Sequence, residues 1–259
     1  MNIIGIIPAR MASTRFPGKP LAKICGIPMV GHVYLRSKFS NVLNDLYIAT
    51  CDKVIADYAR SIGCKCVLTK DTHKTAADRT KEAMMRIEAE TGKTVDIAVM
   101  IQGDEPMLFP EMIDAVVAPL LEDNSLSCSN LMTVIKSKDE EEDPNAVKVV
   151  FDLNNDALYF SREPIPSRKK LNKDEKMHRQ IAIIPFRRDL LIKFNGLEPT
   201  PLEIIESVDM MRLVEHGYKV RMVKTEFVVY GVDTPPELKK VDKLMEKDAI
   251  FSKYREHNG

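Results

Sequence analysis

Met1-Asn2-Ile3-Ile4-Gly5-Ile6-Ile7-Pro8-Ala9-Arg10-Met11-Ala12-Ser13-Thr14-Arg15-Phe16-Pro17-Gly18-Lys19-Pro20 opens the chain, and its reading decides the fold. Ile3 to Ile7 is an unbroken apolar run around one glycine. Such a run reads as a strand buried on both faces, which is the condition of a parallel sheet. The composition then changes at once to small, basic and hydroxyl residues. Arg10, Arg15 and Lys19 bring positive charge to the carboxyl end of this strand, and Ser13 and Thr14 add hydroxyls. The N–H groups of such a loop can form an anion nest. Open α/β sheets take their ligands at that edge, so the pattern suits a polyphosphate. A solvated basic loop has the same composition. The stretch is not a Walker loop, because Ser13 stands where that motif needs Gly and Pro20 where it needs Ser or Thr.

The pattern repeats outward. Helical spacing over 28–39, a strand at Asp45–Thr50 and a helix from Asp52, as its cap, to about Ile62 with Gly63 as its stop form one unit. A short strand at Cys66–Thr69, a polar turn at Lys70–Thr75 and a helix at Ala77–Thr91 closed by Gly92 form the next. Ile97–Ile101 is a fourth strand. This βαβαβαβ alternation requires a parallel sheet with right-handed crossovers. The fourth strand runs into Gln102-Gly103-Asp104-Glu105-Pro106. A carboxylate there is placed to hold a cation against phosphates, Mg²⁺ being content with one or two carboxylates plus substrate oxygens. A turn with Asp104 as its cap is the plain alternative.

Beyond Pro110 the sequence predicts a helix over Glu111–Glu122 and β structure over Leu126–Ile135. It also predicts a solvated charged loop over Lys136–Asp143 and a hairpin of Ala146–Asp152 with Ala157–Ser161 around Asn154-Asn155-Asp156. Ser167–Lys176 reads as a mobile basic loop, and His178–Phe186 returns to strand character. A helix near Arg187–Phe194 is followed by one long helix over Pro201–His216, with Leu202, Ile205, Val208 and Met211 inward and Glu203, Glu206 and Asp209 on a solvated face. Lys219–Val223 and Phe227–Tyr230 read as strands, and Pro235 opens the last helix with Thr234 or Asp233 as cap.

The bounds agree with one α/β protein. The 259 residues are 44% hydrophobic, enough for a sizeable core. Lys plus Arg equals Asp plus Glu at 38 each, which gives no overall pull toward nucleic acid or an anionic membrane. No apolar run approaches a bilayer span, and no signal segment precedes the first strand, so a cytoplasmic location is expected. The five cysteines are scattered, and Cys64-Lys65-Cys66 is too tight for the usual zinc knuckle. Small reduced residues of a cytoplasmic protein are expected.

Ile7-Pro8-Ala9-Arg10, Ser13-Thr14-Arg15 and Pro17-Gly18-Lys19-Pro20-Leu21 resemble the nucleotide loop of the sugar-acid cytidylyltransferases, and within them the CMP-Kdo synthetase family. Gln102-Gly103-Asp104-Glu105-Pro106, Tyr159-Phe160-Ser161-Arg162 with Pro164-Ile165-Pro166, Pro201 to Ser207, and Gly231-Val232-Asp233-Thr234-Pro235 extend the resemblance in order from Ile7 to about Lys243. It implies a nucleotide-diphospho-sugar transferase-like, Rossmann-like α/β fold whose mostly parallel sheet is flanked by helices. A single domain would span 1–259, with a small β-rich dimerisation and acceptor-binding lobe inserted at 126–186, in a homodimer. CTP and an acidic sugar would give a CMP-sugar and pyrophosphate, as in lipopolysaccharide biosynthesis. Ala9, Arg10, Ser13, Arg15 and Lys19 would hold the phosphates, and Arg79 and Gln102 would read cytosine. Asp104 and Asp233 would hold Mg²⁺, while Arg162, Gln180 and Glu206 would face the acceptor. Neither nucleic acid nor a membrane is an expected partner.

Departures from the family pattern cluster away from the nucleotide motifs. The family's Ser-Gly-Thr-Asp-Arg is Thr75-Ala76-Ala77-Asp78-Arg79 here, and its Arg-His-Ile-Gly before an aliphatic residue and Tyr is Arg179-Gln180-Ile181-Ala182-Ile183-Ile184. Ser167-Arg168-Lys169-Lys170 follows Pro-Ile-Pro in place of an aromatic residue and Asp. Loss of polar and aromatic contacts predicts an acceptor other than Kdo itself, such as another sugar acid or a phosphonate. A CTP-binding regulator without turnover is the remaining alternative, and retention of both metal carboxylates argues against it.

Overall fold

A computed structural model of the chain describes residues 1–12, 16–167 and 176–255. Internal contacts divide the chain into two compact units, 1–114 with 229–259, and 115–228. The first unit contains β1 (Ile3–Ala9), β2 (Lys23–Ile24), β3 (Ile27–Pro28), α1 (Met29–Ser37), β4 (Asp45–Thr50), α2 (Lys53–Ser61), β5 (Lys65–Leu68), α3 (Ala76–Thr91) and β6 (Ile97–Ile101). Its four long strands are all parallel and lie in the order β6-β1-β4-β5. β1 is central, with Ile6 beside both Tyr47 and Met100. All five residues of β6 and the isoleucines of β1 are buried, as the continuous apolar runs require. Thr75 and Asp78 form a capping box at the start of α3, and Gly92 ends it in the left-handed conformation.

α1 is buried along its whole length, including Arg36 at 0% exposure. A guanidinium tolerates this only with full pairing. Its Nη1 meets Asp248 at 2.6 Å, Nε donates to the Leu108 carbonyl at 2.6 Å and Nη2 to that of Met107 at 3.2 Å. Arg36 thus fastens the segment that follows β6 to the chain's last turns, α9 (Pro235–Met245) and α10 (Ala249–Ser252). α4 (Pro110–Glu122) leads from the first unit into the second.

The second unit contains β7 (Ser129–Val134), α5 (Lys138–Glu142), β8 (Lys148–Phe151), β9 (Ala157–Ser161), β10 (His178–Ile181), β11 (Ile183–Arg187), α6 (Arg188–Phe194), α7 (Pro201–Glu206), α8 (Met210–Glu215) and β12 (Arg221–Lys224). Five of its strands form a mixed sheet in the order β12-β7-β10-β8-β9.

Several expectations are corrected. Lys136–Asp143 contains a short helix, because Ser137 accepts the Glu140 N–H and three acids occupy its first turn. Phe227–Tyr230 forms no strand, since pairing ends with the Thr225 N–H on the Met132 carbonyl. The long helix over 201–216 is two helices. Ser207 turns left-handed at φ 51°, and Arg162 holds the turn by donating to the carbonyls of Glu206 and Ser207 at 2.6 and 3.0 Å. The fold-back lets the Glu215 carboxylate accept the first N–H groups of α7, from Leu202 and Glu203. In consequence Ile205 is 73% exposed rather than inward, and Glu203 is buried against Arg212 rather than solvated. The predicted basic loop lies mostly outside the described residues. All five cysteines are free thiols, with Cys64 and Cys128 buried.

His32 lies fully buried in α1. Its Nε2–H donates to the Ile24 carbonyl and its Nδ1 accepts the Tyr254 hydroxyl, both at 2.7 Å. Burial is the main force that pushes its pKa down to about 4, with Arg36 adding to it and Asp248 opposing. The folded chain therefore refuses a proton that the unfolded chain takes up below about pH 6.5. Stability is complete above that pH and is lost as pH falls toward 4, by about 2 kcal/mol at pH 5. Urea midpoints measured at pH 7.5 and pH 5 should show this loss, and His32→Gln should shrink the difference between the two pH values.

Candidate active site

A cavity of about 330 Å³ lies in the first unit at the carboxyl ends of β1 and β6. Its floor is Pro8, Ala9 and Arg10 from the end of β1 and Gln102, Gly103 and Asp104 from the end of β6. Lys19 and Asp233 complete one side, and His73 to Ala76 with Arg79 form another.

Lys19 reaches the cavity because Gly18 adopts φ +75° and starts a single 3-10 turn over Lys19–Leu21. A side chain at position 18 would be strained in that left-handed conformation. The base of the loop is closed twice at Met11, whose carbonyl accepts the Gly18 N–H at 3.2 Å and whose N–H donates to Asp52 Oδ2 at 2.8 Å. Asp52 precedes α2 as expected, but its carboxylate makes no cap bond there. It holds the basic loop instead. No local motif announces this, because Met11 and Asp52 meet only when β1 and β4 pair. Ser13 and Arg15, two of the predicted phosphate ligands, lie outside the described residues.

Lys19 Nζ lies 3.0 Å from Asp104 Oδ2 and 2.8 Å from Asp233 Oδ1. Burial alone would depress the ammonium, but attraction to Asp104 and Asp233 outweighs it and holds the Lys19 pKa above the ordinary value. The two acid-bearing segments are also joined by backbone, the Val232 N–H donating to the Asp104 carbonyl at 2.9 Å. Thr234, with Glu237, forms the capping box of α9. The carboxylate of Asp233 turns to Lys19 rather than to the helix.

The opposite wall is fixed by Glu82 of α3. Its carboxylate accepts the Lys70 N–H at 2.9 Å and bonds the His73 ring and Arg86. Burial would raise this acid, yet the Lys70 N–H, His73 and Arg86 together bring its pKa down to about 2. Arg79 is 3% exposed and donates to the Thr69 hydroxyl and the Lys70 carbonyl. His73 is a cavity residue that the sequence placed only in a polar turn, and Thr75, which the sequence placed in that turn and in an altered family motif, lines the cavity too.

The remaining predicted residues belong to the second unit. Arg162 donates to the carbonyls of Glu206, Pro144 and Ser207. Glu206 accepts from Tyr159 Oη at 2.9 Å, Ser161 Oγ at 3.1 Å and the Arg162 N–H at 2.8 Å. Gln180 donates its amide to Asn130 Oδ1. The structure thus draws Arg162 and Glu206 into one network and places Gln180 on β10.

A cytidylyltransferase family model matches residues 4–224. The chain belongs to the cytidylyltransferase family. It is 44% identical to the 3-deoxy-manno-octulosonate cytidylyltransferase of Geobacter metallireducens, over 97% of this chain and 99% of the relative. It is 38% identical to the mitochondrial 3-deoxy-manno-octulosonate cytidylyltransferase of Arabidopsis thaliana, over 94% of this chain and 83% of that one. Among solved structures it resembles CMP:2-keto-3-deoxy-manno-octonic acid synthetase complexed with CTP, with a TM-score of 0.88 and 34% identity over 95% of this chain and 99% of that one. Among the described residues no helix of this cytidylyltransferase is long and apolar enough to cross a membrane.

Removal of the Asp52 carboxylate should loosen the basic loop at its root. A charge-assisted bond of this kind contributes about 1.5–3 kcal/mol. Amide exchange at Met11 should therefore rise by about tenfold or more in Asp52→Ala, while Asp52→Asn, which keeps a neutral acceptor oxygen, should fall between that variant and the parent in hydrogen-exchange mass spectrometry.

Proposed function

We propose that this cytidylyltransferase moves CMP from CTP to a 2-keto sugar acid of the Kdo type and releases pyrophosphate. The observation that carries this reading is the meeting of Lys19, Asp104 and Asp233 on one rim of the cavity that Arg10, Arg79 and Gln102 also line. The names of relatives at 38–44% identity support the nucleotide and the acceptor class.

Two carboxylates that converge on one cationic point fit a hard divalent ion such as Mg²⁺. Among the described residues no three His, Cys, Asp or Glu side chains form a metal cluster, so the ion's remaining ligands would be nucleotide oxygens and water. When bound, it would neutralise phosphate charge and acidify the acceptor hydroxyl. The chain's own residues supply orientation and charge. Arg10 and Lys19 spread the charge that develops on the leaving pyrophosphate as the acceptor hydroxyl displaces it in line at the α-phosphorus. Ala9 lets the phosphates approach the strand end, and Arg79 and Gln102 read the cytosine edge. Arg162, Gln180 and Glu206 are the second unit's proposed acceptor contacts, through side chains or through the backbone that they hold.

A second reading, an acceptor that differs from Kdo, is favoured by Thr75 and Ala76 in the cavity wall and by Gln180, whose amide is engaged by Asn130. Assembly as a homodimer is supported by Leu158, Ile204 and Ile205, large apolar side chains of the second unit at 57%, 68% and 73% exposure.

Pyrophosphate release from CTP, followed with Kdo, other 2-keto sugar acids and phosphonates, tests both readings. A sugar acid should support turnover. Absence of turnover with every acceptor would overturn the enzymatic reading, and Kdo as the best substrate would overturn the second. Asp104→Asn should lower kcat by about 10²- to 10³-fold or more with an unchanged circular dichroism spectrum.

A further inference from the structure

The position of the Lys19 ammonium has a consequence for the order in which ligands enter. It sits 3.0 Å from one oxygen of Asp104 and 2.8 Å from one oxygen of Asp233, where the two carboxylates converge. A divalent ion that takes an oxygen from each acid at about 2.0–2.1 Å must occupy much of the same space. Overlap is one obstacle and repulsion is the other, since like charges a few ångströms apart at a partly buried site repel one another strongly. Lys19 is only 14% exposed on its side chain, and the acids are 29% and 28% exposed, so solvent screens the three charges incompletely.

We propose that Lys19 is the resident counter-ion of the Asp104–Asp233 pair in the nucleotide-free enzyme, and that a divalent cation must compete with it for the pair until a triphosphate draws the ammonium away. The inference rests on the reading of this cavity as the triphosphate site. The backbone favours the exchange. The main chain at residue 19 is fixed by its 3-10 turn, and the flexible four-carbon side chain can pivot about that point. The destination is the rest of the cavity, where Arg10 already presents positive charge to an anion. Metal and nucleotide therefore enter as a couple, and the divalent ion alone is a poor ligand.

Mn²⁺ binding to the nucleotide-free full chain, read by electron paramagnetic resonance, tests this without reference to turnover. Lys19→Met keeps most of the length of the side chain and removes its charge. It should bind Mn²⁺ alone about tenfold or more tightly than the parent. Lys19→Arg should bind it as weakly as the parent, and the gain should vanish in Lys19→Met combined with Asp104→Asn. Equal affinity in Lys19→Met and the parent, or a gain that survives loss of Asp104, would overturn the proposal. Should the variants fail to fold, acetylation of Lys19 in the unmutated chain reads the same contact. Saturating Mn²⁺ should raise its labelling severalfold, and unchanged labelling would count against the exchange. If CTP is never turned over but Mn²⁺ competes with Lys19, the proposed function fails while the counter-ion role stands.

Discussion

One ammonium held between two carboxylates joins positions that are 85 and 214 residues from it in the chain. Gly18 bends the backbone so that Lys19 can reach, the end of β6 delivers Asp104, and the approach to α9 delivers Asp233. Each of these three charges, left without its partner at this depth, would be unfavourable. Together they neutralise most of their charge and leave one net negative charge at the rim of a cavity. The geometry of this side of the cavity follows from this arrangement.

The parallel sheet makes the arrangement possible. In a parallel sheet all strands end on one edge, so the loops after β1 and β6 emerge side by side, and the neighbouring β4 contributes Asp52 to hold the first of them. The Val232–Asp104 backbone bond ties the distant C-terminal segment to the same edge. The cavity is therefore lined by stretches of chain remote in sequence, whose relative placement depends on strand pairing and backbone bonding. Arg36, buried in α1, adds a further restraint by holding the carbonyls just beyond Asp104.

Polar networks in the second unit work by the same logic with a different result. Arg162 and Glu206 satisfy one another's surroundings so fully that they stop a helix. The left-handed Ser207 between α7 and α8 exists because a guanidinium gathers the carbonyls of Glu206 and Ser207. Apolar spacing across that segment suggested one continuous amphipathic helix. Periodicity cannot register a side chain that arrives from another strand and changes where the hydrogen bonds go.

The sequence by itself determined the alternation of strands and helices in the first unit, because buried parallel strands must be continuously apolar and their crossover helices carry caps and glycine stops. It also determined which residue types gather at the strand ends, since a polyphosphate needs cations and a cation needs acids. Only the tertiary structure decided how these residues meet: that Lys19 bridges Asp104 and Asp233, that Asp52 holds a loop instead of capping a helix, and that Glu82 fixes the wall around His73. Each of these is a contact between segments remote in sequence. Its strength depends on burial and on distances of about 3 Å, quantities that only the packed chain possesses.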